Sequence, residues 1–242
     1  MTALFDMDGT LFAGDSQLRF ARWVLRRHGW RRLYLLLVIP GFILRGLHLV
    51  SLGWAKRLFL SYAWGMQRDT LLAECRAFVQ QELLPAIYPP VLEKLRAHQA
   101  AGDTTILCSA SPEWWASLVG EALGFSHTIG TPVEISGERV PLLPHIPPPG
   151  NNRGSAKLTR LAALGIHSAD IAYTDSAADL PMLSISRQAV LVNPSRALAE
   201  RFPQAQLLRP TCPAMRLFTL RCLLGLRVEL AEADVKKEMS PL

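Results

Sequence analysis

Short apolar runs alternate with helical patterns along most of the chain. Four runs are rich in strand-forming residues and end at small or polar residues, and they span residues 2–5, 104–108, 170–173 and 189–192. Apolar residues recur with helical spacing between these runs, at residues 89–101, 112–123 and 155–164. Strands that alternate with helices predict an α/β fold with a parallel sheet, whose functional side chains gather at the carboxyl ends of the strands.

Polar residues follow the first three of these runs. They are Asp6 and Asp8 in FDMDGT, Ser109 and Ala110 in ILCSAS, and Asp175 and Asp179 in TDSAADL, while Lys157 stands early in the helical pattern of NNRGSAKL. Carboxylates that converge at strand ends repel one another unless a cation lies among them, and hard oxygen ligands suit Mg²⁺. A hydroxyl, a lysine and backbone N–H groups beside that metal would hold a phosphoryl group. The pattern therefore predicts a phosphate-handling site.

Each of these residues also has an ordinary structural interpretation when it is taken alone. An aspartate after a strand can cap a helix, and so can Ser109, or Ser111 ahead of Pro112. A single lysine such as Lys157 would usually be a solvated helix residue. Their joint occurrence after successive strands favours the functional interpretation.

The positive charge of the chain is concentrated in one segment. The net charge is +6, yet residues 16–68, here called the basic segment, contain ten Lys and Arg and no Asp or Glu. The remaining chain carries 16 basic and 20 acidic residues. The basic segment also holds four of the six tryptophans and the apolar run LYLLLVIPGFIL. Basic residues beside an apolar run with Trp at its margins predict a helical hairpin at an anionic membrane surface.

Other interpretations of the basic segment remain open. It can be a buried helical subdomain with a solvated basic face, and residues 33–52 have about the length of a single membrane span. A single span would separate Asp6 from Asp175, so an interfacial or re-entrant hairpin is preferred, with its turn at Pro40 and Gly41. Nucleic acid would attract the arginines but would not explain the apolar run, so no nucleic-acid partner is expected.

Cysteine and histidine spacing indicates neither a disulfide framework nor a zinc site, because the chain has no CxxC pair and no histidine pair at helical ligand spacing. The first residues lack a charged stretch followed by an apolar one, so export is not indicated and a cytoplasmic location is expected.

The proline-rich stretch 141–154 is interpreted as a stiff rim of the site or a plain connector. Residues 214–230 predict a second membrane-contact helix, or one that packs on the core or a partner.

The site residues resemble the four motifs of the haloacid dehalogenase superfamily of phosphohydrolases. Motif I matches DMDGT at residues 6–10, motif II matches Ser109, motif III matches Lys157, and motif IV matches Asp175 with Asp179. The resemblance covers residues 1–208 and implies a Rossmann-like core with a parallel sheet and an inserted helical C1 cap. The implied boundaries are 1–13 and 103–210 for the core, 14–102 for the cap, and 211–242 for a C-terminal amphipathic helix and tail.

The resemblance implies a catalytic pair and a metal site. Asp6 would attack phosphorus to form an aspartyl-phosphate, and Asp8 would protonate the leaving oxygen and then deprotonate the hydrolytic water. Mg²⁺ would bind Asp6, Asp8 through its backbone carbonyl, and Asp175, with Asp179 as a further ligand or as a partner behind the ligands.

The resemblance also implies a phosphate cradle and a substrate contact. Ser109, the N–H of Ala110, and Lys157 would hold phosphoryl oxygens. Asp15 stands where phosphoserine phosphatases have an acidic residue that meets the substrate amine, and it is equally suited to cap the following helix. Thr174 departs from the pattern, because much of the superfamily has Gly before the first motif IV aspartate, and a small polar residue is expected to fit.

Three stretches, SASPEW, NNRGSAK and DSAADLPML, look most like subfamily IB, the branch that includes phosphoserine phosphatase and phosphatidylglycerophosphatase C. The apolar, arginine-rich insertion is more similar to that of the second. The resemblance therefore implies Mg²⁺-dependent hydrolysis of a membrane phospholipid phosphate, such as phosphatidylglycerophosphate, at the inner face of the cytoplasmic membrane. A soluble phosphoserine-type phosphatase and a catalytically lapsed membrane-bound binding module are the alternatives, and no oligomeric state is predicted.

Overall fold

The computed structural model describes residues 1–211, whose centre is a six-stranded parallel sheet. The spatial order is β3-β2-β1-β4-β5-β6. The strands are β1 (Thr2–Phe5), β2 (Thr104–Pro112), β3 (His127–Thr131), β4 (Ala169–Thr174), β5 (Ser186–Val192) and β6 (Gln206–Leu208). The predicted α/β class with a parallel sheet is confirmed.

The four predicted strands are all present, and two further strands flank them. β3 (HTIGT) contains polar residues and a glycine, and β6 has only three residues, so neither carries an apolar run that a sequence pattern could reveal. β2 is longer than predicted and continues through the site residues to Pro112, with an irregular register against β3 after Cys108.

Nine α-helices surround the sheet in the described residues. They are α1 (Ser16–Arg27), α2 (Leu35–Gly46), α3 (Leu52–Phe59), α4 (Arg68–Phe78), α5 (Pro89–Ala100), α6 (Glu113–Leu123), α7 (Ser155–Ala163), α8 (Leu180–Ser184) and α9 (Arg196–Arg201). Short 3₁₀ segments span Gly29–Tyr34, Leu60–Ala63, Leu84–Ala86 and Ala177–Asp179, and a π-helical turn spans Val79–Leu83. A long helical insertion therefore separates β1 from β2, and the exact cap and core boundaries stay a prediction.

β1 is a central strand that pairs with β2 on one edge and β4 on the other, and apolar clusters cover both of its faces. Its side chains alternate between two apolar cores, with Phe5 in one and Leu4 in the other. Phe5 stacks on Tyr173 of β4 with ring centroids 4.2 Å apart. This placement explains why β1 is a continuous apolar run rather than an alternating one.

The direction in which successive strands are added to the sheet reverses beside β1. The chain adds β2 and β3 on one side of β1, and then β4, β5 and β6 on the other. The loops that leave β1 and β4 consequently diverge, and a crevice opens at the carboxyl ends of these strands. The aspartates after both strands lie at this crevice, as the sequence predicts.

The helical insertion packs onto the core through aromatic side chains. Phe20 on α1 lies 4.8 Å from Trp115 on α6 and 5.1 Å from Phe78 on α4, measured between ring centroids. All three rings are buried. The insertion is thus held over the carboxyl ends of the strands by a continuous apolar core that includes α6.

The predicted hairpin turn at Pro40 and Gly41 is wrong, because α2 runs through both residues. The chain turns at residues 47–51 instead, and α3 then packs back against α2. Proline removes one helical hydrogen bond without ending this helix. Gly41 serves close packing, since a Cβ atom there would lie 2.0 Å from Cδ2 of Leu58 on α3.

The outer surface of the hairpin carries a set of exposed apolar side chains, here called the apolar face. Its members recur with helical spacing along α2 and its flanks and are Leu33, Leu36, Ile39, Ile43, Leu44 and Leu47. Exposed apolar patches of this kind mark binding surfaces in folded proteins. Among residues 1–211, no helix is long and apolar enough to cross a membrane.

The predicted C-terminal helix at residues 214–230 lies outside the described residues, as do Cys212 and Cys222. Cys75 and Cys108 are buried free thiols.

The apolar face and the core of the insertion should respond differently to truncation. Leu25 on α1 is 2% exposed and Leu36 on α2 is 70% exposed. Leu25→Ala should lower the free energy of unfolding by about 2–5 kcal/mol, because it leaves a cavity in the packed core. Leu36→Ala should change it by less than about 0.5 kcal/mol, because its side chain is already solvated. Urea unfolding of both variants measures this, and an equal loss in the two would contradict the exposed placement.

Candidate active site

The catalytic pocket opens at the carboxyl ends of three adjacent strands. Asp6 follows β1, Asp175 follows β4, and Ser109 lies in the last part of β2. The pocket has a volume of about 620 Å³ and is lined by both the core and the insertion. All seven residues predicted for catalysis, metal and phosphate lie in or directly beside it.

Lys157 is the centre of a buried charge cluster. Its Nζ donates to Asp6 Oδ1 and to Asp179 Oδ1, each at 2.7 Å, and all three side chains are buried. Burial raises the pKa of Asp6 well above its ordinary value, an effect that Lys157 opposes and that Asp179 and Asp175 reinforce. Burial alone would lower the pKa of Lys157, but the two carboxylates outweigh it and raise the pKa. Lys157 is therefore a fixed cation, not a solvated helix lysine.

Asp175 faces Asp6 across the crevice. The Thr10 hydroxyl lies within 3.5 Å of Asp6 Oδ2 and of Asp175 Oδ1. Burial raises the pKa of Asp175 to about 6, and the charge of Asp179 adds to the shift. Gly9 makes room for this carboxylate, because a Cβ atom at Gly9 would lie 2.1 Å from Asp175 Oδ2.

The cluster of Asp6, Asp175 and Asp179 fits a divalent cation. Three carboxylates face one lysine, so their full ionisation leaves an excess of two negative charges in a buried site. Within residues 1–211, no three Asp, Glu, His or Cys side chains are arranged as a complete ligand group. A Mg²⁺ site built from Asp6, Asp175, a backbone carbonyl and water requires only two of these side chains.

Asp179 lies in the wall of the pocket, where Lys157 and Thr174 hold both of its carboxylate oxygens. Its Oδ1 accepts from Lys157, and its Oδ2 accepts from the Thr174 hydroxyl at 2.7 Å. Thr174, the residue that departs from the family pattern, is buried, and its hydroxyl also accepts from the N–H of Ser176. Thr174 therefore fits the site and holds Asp179, which favours the role of a partner behind the metal ligands over that of a ligand.

Asp8 is held by groups from the insertion and from β2. Its Oδ1 accepts from the N–H of Ser16 at 2.7 Å, and its Oδ2 accepts from the Ser111 hydroxyl at 2.6 Å. Ser16 in turn accepts from the Trp115 indole N–H at 3.0 Å. Burial, with a contribution from the Asp15 charge, raises the pKa of Asp8 to about 6. A carboxyl group in that range can both donate and accept a proton near neutral pH.

The Ser109–Ala110 peptide is oriented by a buried asparagine. Asn152 Nδ2 donates to the Ser109 carbonyl at 2.8 Å. Because a trans peptide places its N–H opposite its carbonyl, the Ala110 N–H points away from Asn152. Ala110 lines the pocket, and the Ser109 hydroxyl accepts from the Ser111 N–H at 3.0 Å. Their phosphate-binding role stays a prediction that this geometry permits.

Two of the capping interpretations are resolved. Asp15 caps α1, since its Oδ1 accepts from the N–H groups of Gln17 and Leu18 at 2.8 and 3.0 Å. It also lines the pocket, so its predicted substrate contact stays open. Ser109 and Ser111 do not cap α6, because that helix begins at Glu113 and has no side-chain cap.

Several residues of the site carry no sequence signal strong enough to predict them. Asn152 sits in the loop before Lys157, where it could have been suspected only from its proximity to motif III. Ser16 and Thr10 look like ordinary helix-start and turn residues. Lys56, one of ten basic residues in the basic segment, reaches the Ala110 carbonyl at 2.6 Å from α3. A contact of this kind depends on how the insertion folds over the core.

Comparisons with known proteins agree with this geometry. A family model described as haloacid dehalogenase-like hydrolase matches residues 3–184. A phosphoserine phosphatase of Mycobacterium tuberculosis, SerB1, is 27% identical over 214 residues, which cover 81% of this chain and 66% of that protein. A histidinol-phosphatase of Neisseria meningitidis is 30% identical over 131 residues, covering 51% of this chain and 58% of that protein. The matches therefore span less than two thirds of the length of these curated relatives.

One solved structure has a closely similar architecture. A Bordetella pertussis Tohama I protein of unknown function superposes with a TM-score of 0.71, at 22% identity, over 86% of this chain and 97% of that chain. At this identity the likeness shows a shared fold.

Gly9 and Gly14 offer a matched test of the cation site. Both have positive φ angles, +79° and +77°, so Ala should strain the backbone similarly at either position. Only at Gly9 would the new Cβ displace Asp175, because no atom lies within 4 Å of the Cβ position at Gly14. Millimolar Mg²⁺ should raise the thermal unfolding midpoint of the wild type and of Gly14→Ala, but not of Gly9→Ala. Equal Mg²⁺ stabilisation of both variants would contradict the placement of the cation beside Asp175.

Proposed function

The chain belongs to the haloacid dehalogenase-like hydrolase family, and we propose that it is a Mg²⁺-dependent phosphatase of membrane phospholipid phosphates. The substrate class is a lipid phosphomonoester such as phosphatidylglycerophosphate, reached from the inner face of the cytoplasmic membrane. The observation that carries the lipid assignment is that α2, which contributes Arg45 to the lining of the catalytic pocket, also carries the apolar face.

The charge cluster supports nucleophilic catalysis by Asp6. Lys157 binds Oδ1 of Asp6, which leaves Oδ2 as the oxygen that attacks phosphorus. A bond forms between Oδ2 and phosphorus while the bond from phosphorus to the leaving oxygen breaks. Asp8, protonated at this stage, gives its proton to the leaving oxygen.

The second half of the reaction returns both aspartates to their starting state. Asp8, now a carboxylate, accepts a proton from a water molecule that attacks the phosphorus of the aspartyl-phosphate. The bond between phosphorus and Asp6 breaks, and inorganic phosphate leaves. Ser16 and Ser111 hold the Asp8 carboxyl group in one orientation, so the same oxygen atoms can serve both steps.

Asp6, Asp175 and the backbone carbonyl of Asp8 would hold Mg²⁺, with Asp179 behind them. The ion supplies charge neutralisation where an anionic nucleophile meets an anionic phosphoryl group. Lys157 adds a second positive charge, and Ser109 with the Ala110 N–H donates to the phosphoryl oxygens. Each of these groups lies at the carboxyl end of a strand or the start of a helix, where its position is rigid.

The hairpin of α2 and α3 supports a membrane-bound substrate. Arg45 on α2 lines the catalytic pocket, and its neighbour Leu44 belongs to the apolar face, as does Leu47 half a turn later. One helix therefore contributes both the pocket wall and the exposed apolar surface. Apolar side chains can enter the acyl region while the excess of arginine in the basic segment attracts anionic head groups.

A phosphoserine-type substrate is the second candidate, and Asp15 favours it. Its carboxylate lines the pocket and could pair with a substrate amine. The names of the bacterial relatives, phosphoserine phosphatase and histidinol-phosphatase, also describe phosphates of small amines. The lapsed-enzyme alternative loses support, because Asp6, Asp8 and Lys157 are all present with catalytic contacts.

Turnover with three substrates tests the proposed function. With Mg²⁺, the wild type should hydrolyse phosphatidylglycerophosphate in mixed vesicles faster than free phosphoserine, and it should also release nitrophenol from p-nitrophenyl phosphate. Asp6→Asn should lower all of these rates by at least about 10³-fold, since the nucleophile is lost. A preference for phosphoserine would refute the lipid assignment but keep the chemistry. Unchanged rates in Asp6→Asn would refute the mechanism.

Membrane binding can be tested independently of turnover. Leu36→Gln should reduce co-sedimentation with anionic phosphatidylglycerol vesicles by about tenfold, because one buried leucine contributes roughly 1.5–3 kcal/mol. Leu164→Gln is the matched control, since Leu164 is also exposed but lies outside the apolar face. Equal vesicle binding by the wild type and both variants would show that the apolar face does not contact the membrane.

A further inference from the structure

The catalytic pocket contains cations that the proposed chemistry does not use. Besides Lys157, its lining includes Arg45 from α2, Lys56 from α3 and Arg153 from the loop before α7. Lys157 pairs with Asp6 and Asp179. Within the described part of the chain, none of the other three forms an ion pair with a carboxylate. The wall of the pocket thus carries three positive charges without a protein counter-ion.

Lys56 is the most informative of the three because it is buried. Only 9% of it is exposed, and its Nζ donates to the Ala110 carbonyl at 2.6 Å, to the Thr131 hydroxyl at 3.3 Å and to Asn151 Oδ1. All three acceptors are uncharged. Burial lowers the pKa of Lys56 to about 8, against the opposing influence of Asp15 and Asp8. A buried ammonium group is stabilised when an anion lies beside it, and the protein supplies none in direct contact.

The other two cations line the pocket and also adjoin the exposed surface. Arg153 is exposed, and it precedes Lys157 by four residues. Arg45 lies next to Leu44 of the apolar face. If the acyl chains of a substrate lie at the apolar face and its phosphoryl group at Asp6, its leaving group would lie beside these cations.

We infer that Arg45 and Arg153, with the buried positive charge of Lys56 beside them, form a second anion site, which binds a phosphodiester in the leaving group of the substrate. The inference rests on the proposed function and deepens it. A glycerophospholipid with a terminal phosphomonoester presents its groups in the order of the pocket: a phosphoryl group, then a phosphodiester, then acyl chains. The site would select such a lipid over one whose only phosphate is the reacting one.

Four substrates distinguish the contribution of the second anion to recognition from that of the acyl chains. Phosphatidylglycerophosphate has both, glycerophosphoglycerophosphate has the phosphodiester alone, phosphatidic acid has the chains alone, and glycerol 3-phosphate has neither. The wild type should show a kcat/KM at least about tenfold higher for glycerophosphoglycerophosphate than for glycerol 3-phosphate, since charge-assisted contacts of this kind contribute about tenfold or more each. The kcat/KM for phosphatidylglycerophosphate should exceed that for phosphatidic acid by the same factor.

The variants Lys56→Met and Arg153→Gln should each reduce these ratios by about tenfold. Arg153 is exposed, so its variant keeps the test valid if loss of the buried Lys56 disturbs folding. Arg201→Gln, at an exposed position on α9 outside the pocket lining, is the control for removal of one positive charge and should leave the ratios unchanged.

Equal losses on substrates with and without the phosphodiester would overturn the second anion site. A wild-type preference for phosphoserine over glycerol 3-phosphate, with none for glycerophosphoglycerophosphate, would also overturn it, because the cations would then bind a carboxylate.

Binding measured without turnover separates this inference from the proposed function. Calorimetry with Asp6→Asn should show at least about tenfold tighter binding of glycerophosphoglycerophosphate than of glycerol 3-phosphate, and the added Arg153→Gln change should remove most of the difference. If the difference is present but the wild type hydrolyses none of the four phosphates, the proposed function fails and the second anion site stands. Equal affinities for the two compounds would overturn the site even in an active enzyme.

Discussion

The burial of three carboxylates around one lysine is the constraint on which the rest of this structure depends. Asp6 lies far in sequence from Asp175 and Asp179, and Lys157 bridges Asp6 and Asp179 with contacts of 2.7 Å. Buried carboxylates that lie this close to a shared lysine repel one another and are tolerated only with compensating cations. The sheet brings the carboxylates together beside β1, where its direction of growth reverses, and Gly9 leaves the space that Asp175 occupies. An unbalanced negative site that fits Mg²⁺ would be the physical basis of the proposed phosphoryl chemistry.

The helical insertion completes the site as well as covering it. Ser16 at the start of α1 holds Asp8, and Lys56 on α3 holds the carbonyl of Ala110, which is predicted to bind phosphate through its N–H. Aromatic packing of Phe20 on Trp115 fixes α1 against the core. Since the same insertion carries the apolar face, contact with a membrane and alignment of catalytic groups would involve one rigid unit.

The sequence predicts the parts of this protein that depend on local pattern. Continuous apolar runs identify β1 and β4 because strands buried on both faces need them, and the aspartates after them identify the site. Short or polar strands such as β3 and β6 give no such signal. Pro40 and Gly41 misled the prediction, because a glycine that admits Leu58 against α2 looks like a turn residue. Lys56 and Asn152 could not be predicted, since their roles arise only from contacts between distant segments.

Direct detection of a phosphorylated aspartate would test the central claim. Acid quenching during turnover of phosphatidylglycerophosphate with Mg²⁺, followed by mass spectrometry of proteolytic peptides, should place one phosphoryl group on Asp6. Asp8, which is held by Ser16 and Ser111 for proton transfer, should remain unmodified. Phosphate release with the phosphoryl group on another residue, or with no phosphorylated peptide under conditions that trap such intermediates, would contradict this account.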